Sequence, residues 1–479
     1  MITILLCLGV VIFIIYSYRN YMKQFVDIDK LPGPSTLKLI KDLYFNSSSK
    51  GIIDYFQSLN SIYGPVVKVW MKPFKPMIIT NDMEYCNKIF KANDHHISPV
   101  LHEMTFMGDG IASTVDYHTW KNDKAVMVKA ITKSYINSKL DIYNQKYDDL
   151  INAIRSNLGK PVDVEKYLHT ILLEVILETI QHKGINITQR EKKDYITSRN
   201  DFFVLLLQKM NSFSCMGVLH WFTNNYRKIW KRHSEVVAFG TDWLEKFNKL
   251  DVKERDPTNL VYAMMEGGIP DNRIVDNINT IIQGGHDTSI VPLSMALREL
   301  AHNPEIQNKI YEEIKNVMGT DINAEIDIEH LNNMPYLHAT AKESLRRFMS
   351  MPFLDRLILR DMLIDGTKIP KGIRVMFHLV GIMTSEKNYD DPLTFKPERF
   401  LKENVTAKSQ KSFFGFGYGP KLCPGKPIAY AAMKLILVKI IREFEVLPAE
   451  HDVQLVSELF FRSLTGIPSI FRKRNIEQT

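Results

Sequence analysis

The chain has 479 residues, 45% of them hydrophobic and 24% charged, which is the makeup of an ordinary globular protein. Its formal net charge of +7 suits a membrane surface or an acidic partner, but no basic stripe interleaved with aromatics accompanies it, which argues against nucleic-acid binding. The four cysteines, Cys7, Cys86, Cys215 and Cys423, are far apart and form no Cys-x-x-Cys pair, which argues against a disulfide framework or zinc cluster and fits a reduced, cytosol-facing compartment.

From Met1 to Tyr18 only Thr3, Gly9 and Ser17 interrupt an apolar run, and Arg19 and Lys23 come directly after it. A bilayer-spanning helix needs roughly 20 such residues, and basic residues on one flank keep that side in the cytosol. With no basic n-region and no small-x-small cleavage site, residues 1–20 are expected to be an uncleaved transmembrane signal anchor. Residues 21–34 form a basic, proline-containing hinge. Its Leu31-Pro32-Gly33-Pro34 run must turn, either to orient the downstream chain against the bilayer or as a plain linker.

Residues 62–80 read as a small β region, with Val66, Val67, Val69, Met77, Ile78 and Ile79 apolar and turns at Gly64-Pro65 and Lys72-Pro73. Helical periodicity dominates from about 120 to 350, with examples at 145–157, 163–182, 234–249 and 271–301. Strand-like runs return over 357–377, with turns at Asp365-Gly366 and Pro370-Lys371-Gly372. Segments 202–221 and 459–471 carry excess apolar character, as core or as a channel or second membrane contact. The expected architecture is mainly α with small β-sheets near both ends, in one large domain over 35–479.

Residues 413–425 read Phe-Phe-Gly-Phe-Gly-Tyr-Gly-Pro-Lys-Leu-Cys-Pro-Gly, too rich in glycine and proline for regular structure. Ile428, Ala431, Leu435, Val438 and Ile441 then mark one face of a helix. Cys423 therefore sits at a helix mouth, where amides favour negative charge, and a low-pKa thiolate is expected. Pro427 after Gly425-Lys426 excludes a Walker phosphate loop, and Ala429 excludes a phosphatase-type Cys-x5-Arg loop. Inside the helix at 271–301, Gly284 and Gly285 each cost roughly 1 kcal/mol against alanine, so something must approach that backbone closely. Asp287-Thr288 beside them could pass protons to a bound oxygen species.

The pattern Phe416-Gly417-x-Gly419-x-Lys421-x-Cys423-x-Gly425 resembles the haem-binding loop of the cytochrome P450 family. The resemblance implies the P450 fold, with residues 35–479 a haem-thiolate catalytic domain holding haem b (iron protoporphyrin IX). Cys423 would be the axial iron ligand. Phe416, Gly417, Gly419 and Gly425 would shape the loop, and Lys421 would lie near a propionate. Asp287 and Thr288 match the family's oxygen-activating acid–alcohol pair; His286 fills a variable position and receives no role. Glu343 and Arg346, with Arg399 in Phe395-Lys-Pro397-Glu398-Arg399-Phe400, match its structural triad. Arg356 matches a propionate-binding strand arginine, and Trp120-x-x-x-Lys124 a helix that usually carries arginine. Lysine there keeps the charge and loses the bidentate geometry. Thr384-Ser385-Glu386 stands where the family has His-x-Asp or His-x-Asn, a departure that bears on packing.

The implied activity is a monooxygenase inserting one oxygen atom from O2 into a lipophilic small molecule. Electrons would come from NADPH through NADPH–cytochrome P450 reductase, with cytochrome b5 as a second candidate donor. The implied location is the endoplasmic reticulum membrane, single-pass, with the catalytic domain facing the cytosol. Lys421, Lys426 and Lys434 could face the acidic partner or simply form a solvated face. Residues 100–115, 202–221, 351–354 and 459–464 are candidate substrate contacts. The alternatives are a reductase-independent haem-thiolate isomerase or dehydratase, and a non-catalytic haem-binding membrane protein.

Overall fold

The computed structural model describes residues 2–475 apart from 43–51, 73–74, 93–94, 100–101, 103–105, 181–184, 186, 211–222, 252, 254, 257 and 458–459. The expected substrate-contact segments at 100–115, 202–221 and 459–464, and the turn at Lys72-Pro73, therefore lie partly outside the described residues. Where one domain was expected, the chain divides into two compact units: one mainly of residues 1–98 and 353–381, the other mainly of 99–209, 218–352 and 382–479.

The smaller unit holds helices α1 (Ile2–Met22), α2 (Ile52–Tyr63) and α3 (Met83–Ala92). Its sheet is built from β1 (Val66–Lys72), β2 (Lys75–Thr80), β3 (His95–Ile97), β5 (Phe353–Ile358) and β8 (Arg374–His378), in the order β1-β2-β8-β5-β3. Only β2 and β8 pair in parallel. Val67 and Val69 alternate inward on β1 and bury themselves with Leu39, Leu59, Ile79 and Phe353. Strands β6 (Met362–Ile364) and β7 (Thr367–Ile369) form a hairpin across the expected Asp365-Gly366 turn. Both turn residues have positive φ, 50° and 77°, as a two-residue primed turn requires.

The hinge is more than a tether. Lys68 N–H donates to the Pro32 carbonyl at 2.9 Å, and a Cβ on Gly33 would lie 2.1 Å from the Lys68 carbonyl oxygen. Glycine is thus required where this segment lies against β1. Upstream, α1 exposes Ile12, Phe13, Ile14, Ile15 and Tyr16; the side chains of residues 1–11, half of the expected anchor, lie outside the described ones. Among the described residues, no helix is long and apolar enough to cross a membrane.

The larger unit is helical. In chain order it contains α4 (Tyr117–Ala130), α5 (Lys133–Arg155), α6 (Val164–Ile180), α7 (Gln189–Met210), α8 (Asn224–Asn248), α9 (Leu260–Glu266), α10 (Asp271–His302), α11 (Pro304–Met318), α12 (Pro335–Arg347) and α13 (Lys426–Glu443). Asp116, Thr132, Thr223 and Asn259 cap helix starts by accepting backbone N–H bonds. Small sheets complete the unit: β4 (Pro161–Asp163) and β9 (Phe444–Pro448) flank β12 (Pro468–Lys473), and β10 (Leu455–Ser457) pairs with β11 (Phe461–Ser463). The 32-residue α10 runs through this unit, packed by α6, α8 and α12. Its buried residues include Asn277, Asn279, Thr280, Gln283 and His286 as well as aliphatics. Polar groups inside a helical core need partners, and those near residue 286 define part of the site.

Candidate active site

The cysteine loop is shaped by glycine backbone and anchored by aromatic packing. Gly417 and Gly419 take φ of 80° and 64°, in the left-handed region that L side chains rarely adopt. Cys423 N–H donates to the Phe416 carbonyl at 2.9 Å, closing the loop behind the sulfur. Phe413 and Phe416 pack on Ala341, Leu345, Tyr430 and Met433 of α12 and α13, which fixes the loop to both helices. Gly425 caps α13; a Cβ there would sit 3.7 Å from Cys423 Sγ.

Cys423 is accessible to solvent, yet dense protein surrounds it. That combination describes a side chain lining a recess. Burial pushes its thiol above the ordinary value, while the Gly425 amide, the Lys124 ammonium and the Lys426 amide oppose the rise. The expected low-pKa thiolate is thereby corrected. The amides do address the sulfur, but desolvation of a charged thiolate outweighs them. Metal ligation would displace the proton, because a coordinating thiol is deprotonated outright.

Lys124 is committed within the loop. Its Nζ donates to the carbonyls of Pro420 and Leu422, both at 2.6 Å. Lys421 Nζ lies 3.2 Å from the centroid of the Trp120 ring and 5.0 Å from that of Tyr117. Trp120, Lys124 and Lys421 thus converge on the cysteine loop, with Lys124 acting as a clamp on its backbone. Arg356 lies in the smaller unit, buried on β5. One Nη donates to the Asp355 carbonyl, Nε has no hydrogen-bond partner among the described residues, and burial pulls the guanidinium down to about 10.

On α10, Asp287 and Thr288 turn to different partners. The Asp287 carboxylate takes Arg199 and Gln283 as donors and faces His286 Nδ1 at 2.8 Å. Thr288 Oγ1 donates to the Gly284 carbonyl. The acid and the alcohol are therefore adjacent in sequence without sharing a hydrogen bond. Gly284 is exposed, and a Cβ on it would meet no atom within 4 Å, whereas one on Gly285 would strike Ile176 of α6 at 2.5 Å. The two glycines do different work: Gly285 lets α6 approach, and Gly284 leaves the helix surface bare. Pro292, inside α10, has no N–H to offer the Thr288 carbonyl. Ser350 Oγ supplies that donor, and Ser344 Oγ bonds the Pro292 carbonyl.

Glu343, Arg346 and Arg399 meet. Arg346 grips Glu343 with two bonds of 2.8 Å, and Arg399 Nε joins at 3.2 Å. The Lys396 amide also donates to Glu343, and the remaining guanidinium nitrogens go to the carbonyls of Met383, Asp390, Asp391 and Thr394.

Other expectations need revision. Lys434 cannot face a partner: it is buried, donates to the Leu331 carbonyl at 2.7 Å, and is held down to about 8 by burial. A lysine on an amphipathic pattern reads as surface, but the neighbour of α13 along this face is protein. In the apolar 202–221 segment, the described part splits: Phe202 and Leu206 are buried and Val204 is exposed. Phe202 and Phe203 close on Phe106 at 5.5 and 5.8 Å between ring centroids, which joins two of the expected contact segments. Sequence reading missed Arg199, Ser344, Ser350 and Pro292. Pro292 alone left a signal, a proline four residues after Thr288 in a predicted helix.

A protein-family model described as cytochrome P450 matches residues 31–470. Several similar curated proteins come from Drosophila melanogaster. The one named probable cytochrome P450 4ac1 is 26% identical over 426 residues, covering 85% of this chain and 83% of its own length. Probable cytochrome P450 4ac3 is 24% identical, covering 93% of this chain and 90% of its own length. Cytochrome P450 4d8 is 24% identical, covering 86% and 95%.

Proposed function

The chain belongs to the cytochrome P450 family, and on that premise we propose that it oxygenates a lipophilic small molecule with electrons drawn from NADPH through a flavoprotein reductase. Family membership makes it a haem-thiolate monooxygenase that binds haem b. The observation that carries the site assignment is the accessible Cys423 sulfur, addressed by the Gly425 and Lys426 amides inside dense protein. The bare Gly284 surface suits the close approach of a flat group to α10.

In this reading Cys423 would hold the haem iron through its sulfur. Phe416, Gly417, Gly419 and Gly425 would shape the loop that presents this sulfur. By the family resemblance Arg356 and Lys421 would each neutralise a propionate, and Trp120 and Lys124 would fix the loop that presents Lys421. When bound, the haem supplies oxygen activation and insertion. Thr288, with its hydroxyl on the Gly284 carbonyl, holds a proton at the bare face of α10, and Asp287 replenishes it through water. Glu343, Arg346 and Arg399 serve folding. We place the protein at the endoplasmic reticulum membrane with its catalytic part in the cytosol, on the strength of the apolar run Met1–Tyr18 and the exposed aliphatic side chains of α1. Cytochrome b5 is a second electron donor in this scheme.

Carbon monoxide spectroscopy of the reduced protein tests the ligand. Wild type should give the red-shifted Soret band of thiolate-ligated haem, and Cys423→Ser should lose it; its absence from wild type would sink the assignment. Thr288→Ala should divert reducing equivalents into hydrogen peroxide, and unchanged peroxide release would remove Thr288 from the proton path.

A further inference from the structure

We propose that Ser350 is a positioning residue for Thr288. It donates to the carbonyl that Pro292 leaves open and so keeps the Thr288 hydroxyl in place at the bare face of α10. This role rests on the reading of Thr288 as the residue that holds a proton there.

The need for such a residue is written into α10. In a helix the carbonyl of residue 288 accepts from the N–H of residue 292. Pro292 has no N–H, and a proline ring crowds that same carbonyl. The open carbonyl has two ways out. It tilts outward to water, or it takes a donor from a neighbouring segment.

The fold takes the second way. Ser350 Oγ donates to the Thr288 carbonyl, and Ser344 Oγ donates to that of Pro292. Ser344 lies within α12 and Ser350 just past its end, so one neighbour braces both ends of the opened turn. Both serines are buried. Ser350 is itself fixed: its carbonyl accepts from the Phe461 N–H of β11 at 2.8 Å. Phe348 and Phe461 pack with Val291 and Met295 of α10 and with Ile467. The Ser350 hydroxyl has one hydrogen to give, and Thr288 receives it.

The side chain on the other end of this bond carries the chemistry. Thr288 Oγ1 donates to the Gly284 carbonyl, one turn back. Its single hydrogen is thus committed, and its lone pairs remain to meet water. Thr288 is tied twice, by its hydroxyl to the turn before and by its carbonyl to Ser350. A released carbonyl would tilt toward water and carry the Cα and the hydroxyl with it. A misplacement of about 1 Å costs a positioned group about a hundredfold. The bare face adds no restraint of its own, because a Cβ on Gly284 would meet nothing within 4 Å. The bracing has to come from behind the backbone, where Ser350 stands.

Pro292→Ala returns an N–H to the Thr288 carbonyl, so Ser350→Ala is made both with Pro292 and with Pro292→Ala. Hydrogen exchange read by mass spectrometry needs neither haem nor reductase. With Pro292, Ser350→Ala should speed exchange around residue 288 by about five- to tenfold against the rest of α10. With Pro292→Ala it should change nothing there. The second readout uses NADPH and reductase with no added substrate. Two electrons and two protons reduce O2 to hydrogen peroxide; four of each reduce it to two waters. The peroxide-to-water ratio, from peroxide formed and NADPH consumed, reads proton delivery and does not depend on how much protein is folded. Ser350→Ala should raise it about tenfold, part of what a positioned proton donor contributes, and adding Pro292→Ala should return it to the value of Pro292→Ala alone. Ser350→Cys, with a weak S–H donor, takes the place of Ser350→Ala should that variant not fold.

A serine that only satisfies a carbonyl would speed exchange and leave the ratio unmoved, which would overturn the proposal. A ratio raised equally with Pro292 and with Pro292→Ala would also overturn it, since the missing donor would not be the cause. If Thr288→Ala raises the ratio and Ser350→Ala does not, the positioning role fails and the reading of Thr288 stands. If neither raises it, that reading fails and the positioning role falls with it.

Discussion

Two buried networks of the larger unit combine a carboxylate with guanidinium groups, and they are completed differently. Around Glu343, each guanidinium nitrogen of Arg346 and Arg399 has an oxygen to bond, and both carboxylate oxygens are met by donors. Around Asp287, one oxygen is satisfied by Arg199 and Gln283, while the other lies 2.8 Å from His286 Nδ1, which finds no hydrogen-bond partner among the described residues. Removing two charges from water costs several kcal/mol per ion, repaid only where every lone pair is matched. The closed network has nothing left to exchange, which suits a fixed structural joint. The open one leaves a buried ring nitrogen unsatisfied, which is a cost that a purely structural joint would avoid.

The contrast can be broken from either side. Glu343→Ala would strand two buried arginines and should cost about 3–5 kcal/mol of unfolding free energy, measured by chemical denaturation. A loss within the range of a surface pair would show that the network is not closed. Lys434 is a buried charge outside both networks, bonded among the described residues to the Leu331 carbonyl. Its folded-state pKa of about 8 lies below the ordinary lysine value of 10.5, so the unfolded chain binds more protons between those values, and stability should rise with pH across that window. The gain should be about 3 kcal/mol and should be missing in Lys434→Met, compared by denaturation at both ends of the window. Ser350→Ala leaves the Thr288 carbonyl without a donor and should cost about 1–3 kcal/mol. A cost near zero would mean that water takes over the bond.

Legibility from sequence tracks the range of the interactions. Local patterns were sufficient for β1, α10, the Asp365-Gly366 hairpin and the glycine-shaped cysteine loop, because turn chemistry and periodicity act over a few residues. The meeting of Glu343, Arg346 and Arg399 was legible only through the family resemblance. Arg199 was invisible, since it lies 88 positions from Asp287 and nothing local marks a buried arginine. Lys434 was misread because a long cationic side chain looks like surface until the carbonyl it reaches is known. His286 received no role because sequence shows neither the His169 carbonyl nor the burial that makes its second nitrogen costly. The two-unit division was hidden because residues 353–381 join the smaller unit from far along the chain.

The Lys124 clamp bears on the order in which the molecule assembles. Its two bonds close loops of 296 and 298 residues, among the longest sequence separations in the larger unit. The entropy of such a closure must be met before the contact returns anything, so it belongs to the late stages of folding. The cysteine loop then takes its final shape only after the helices between residues 124 and 420 have packed. A chain halted during synthesis would carry the acid, the alcohol and most of the core, but no finished seat for iron.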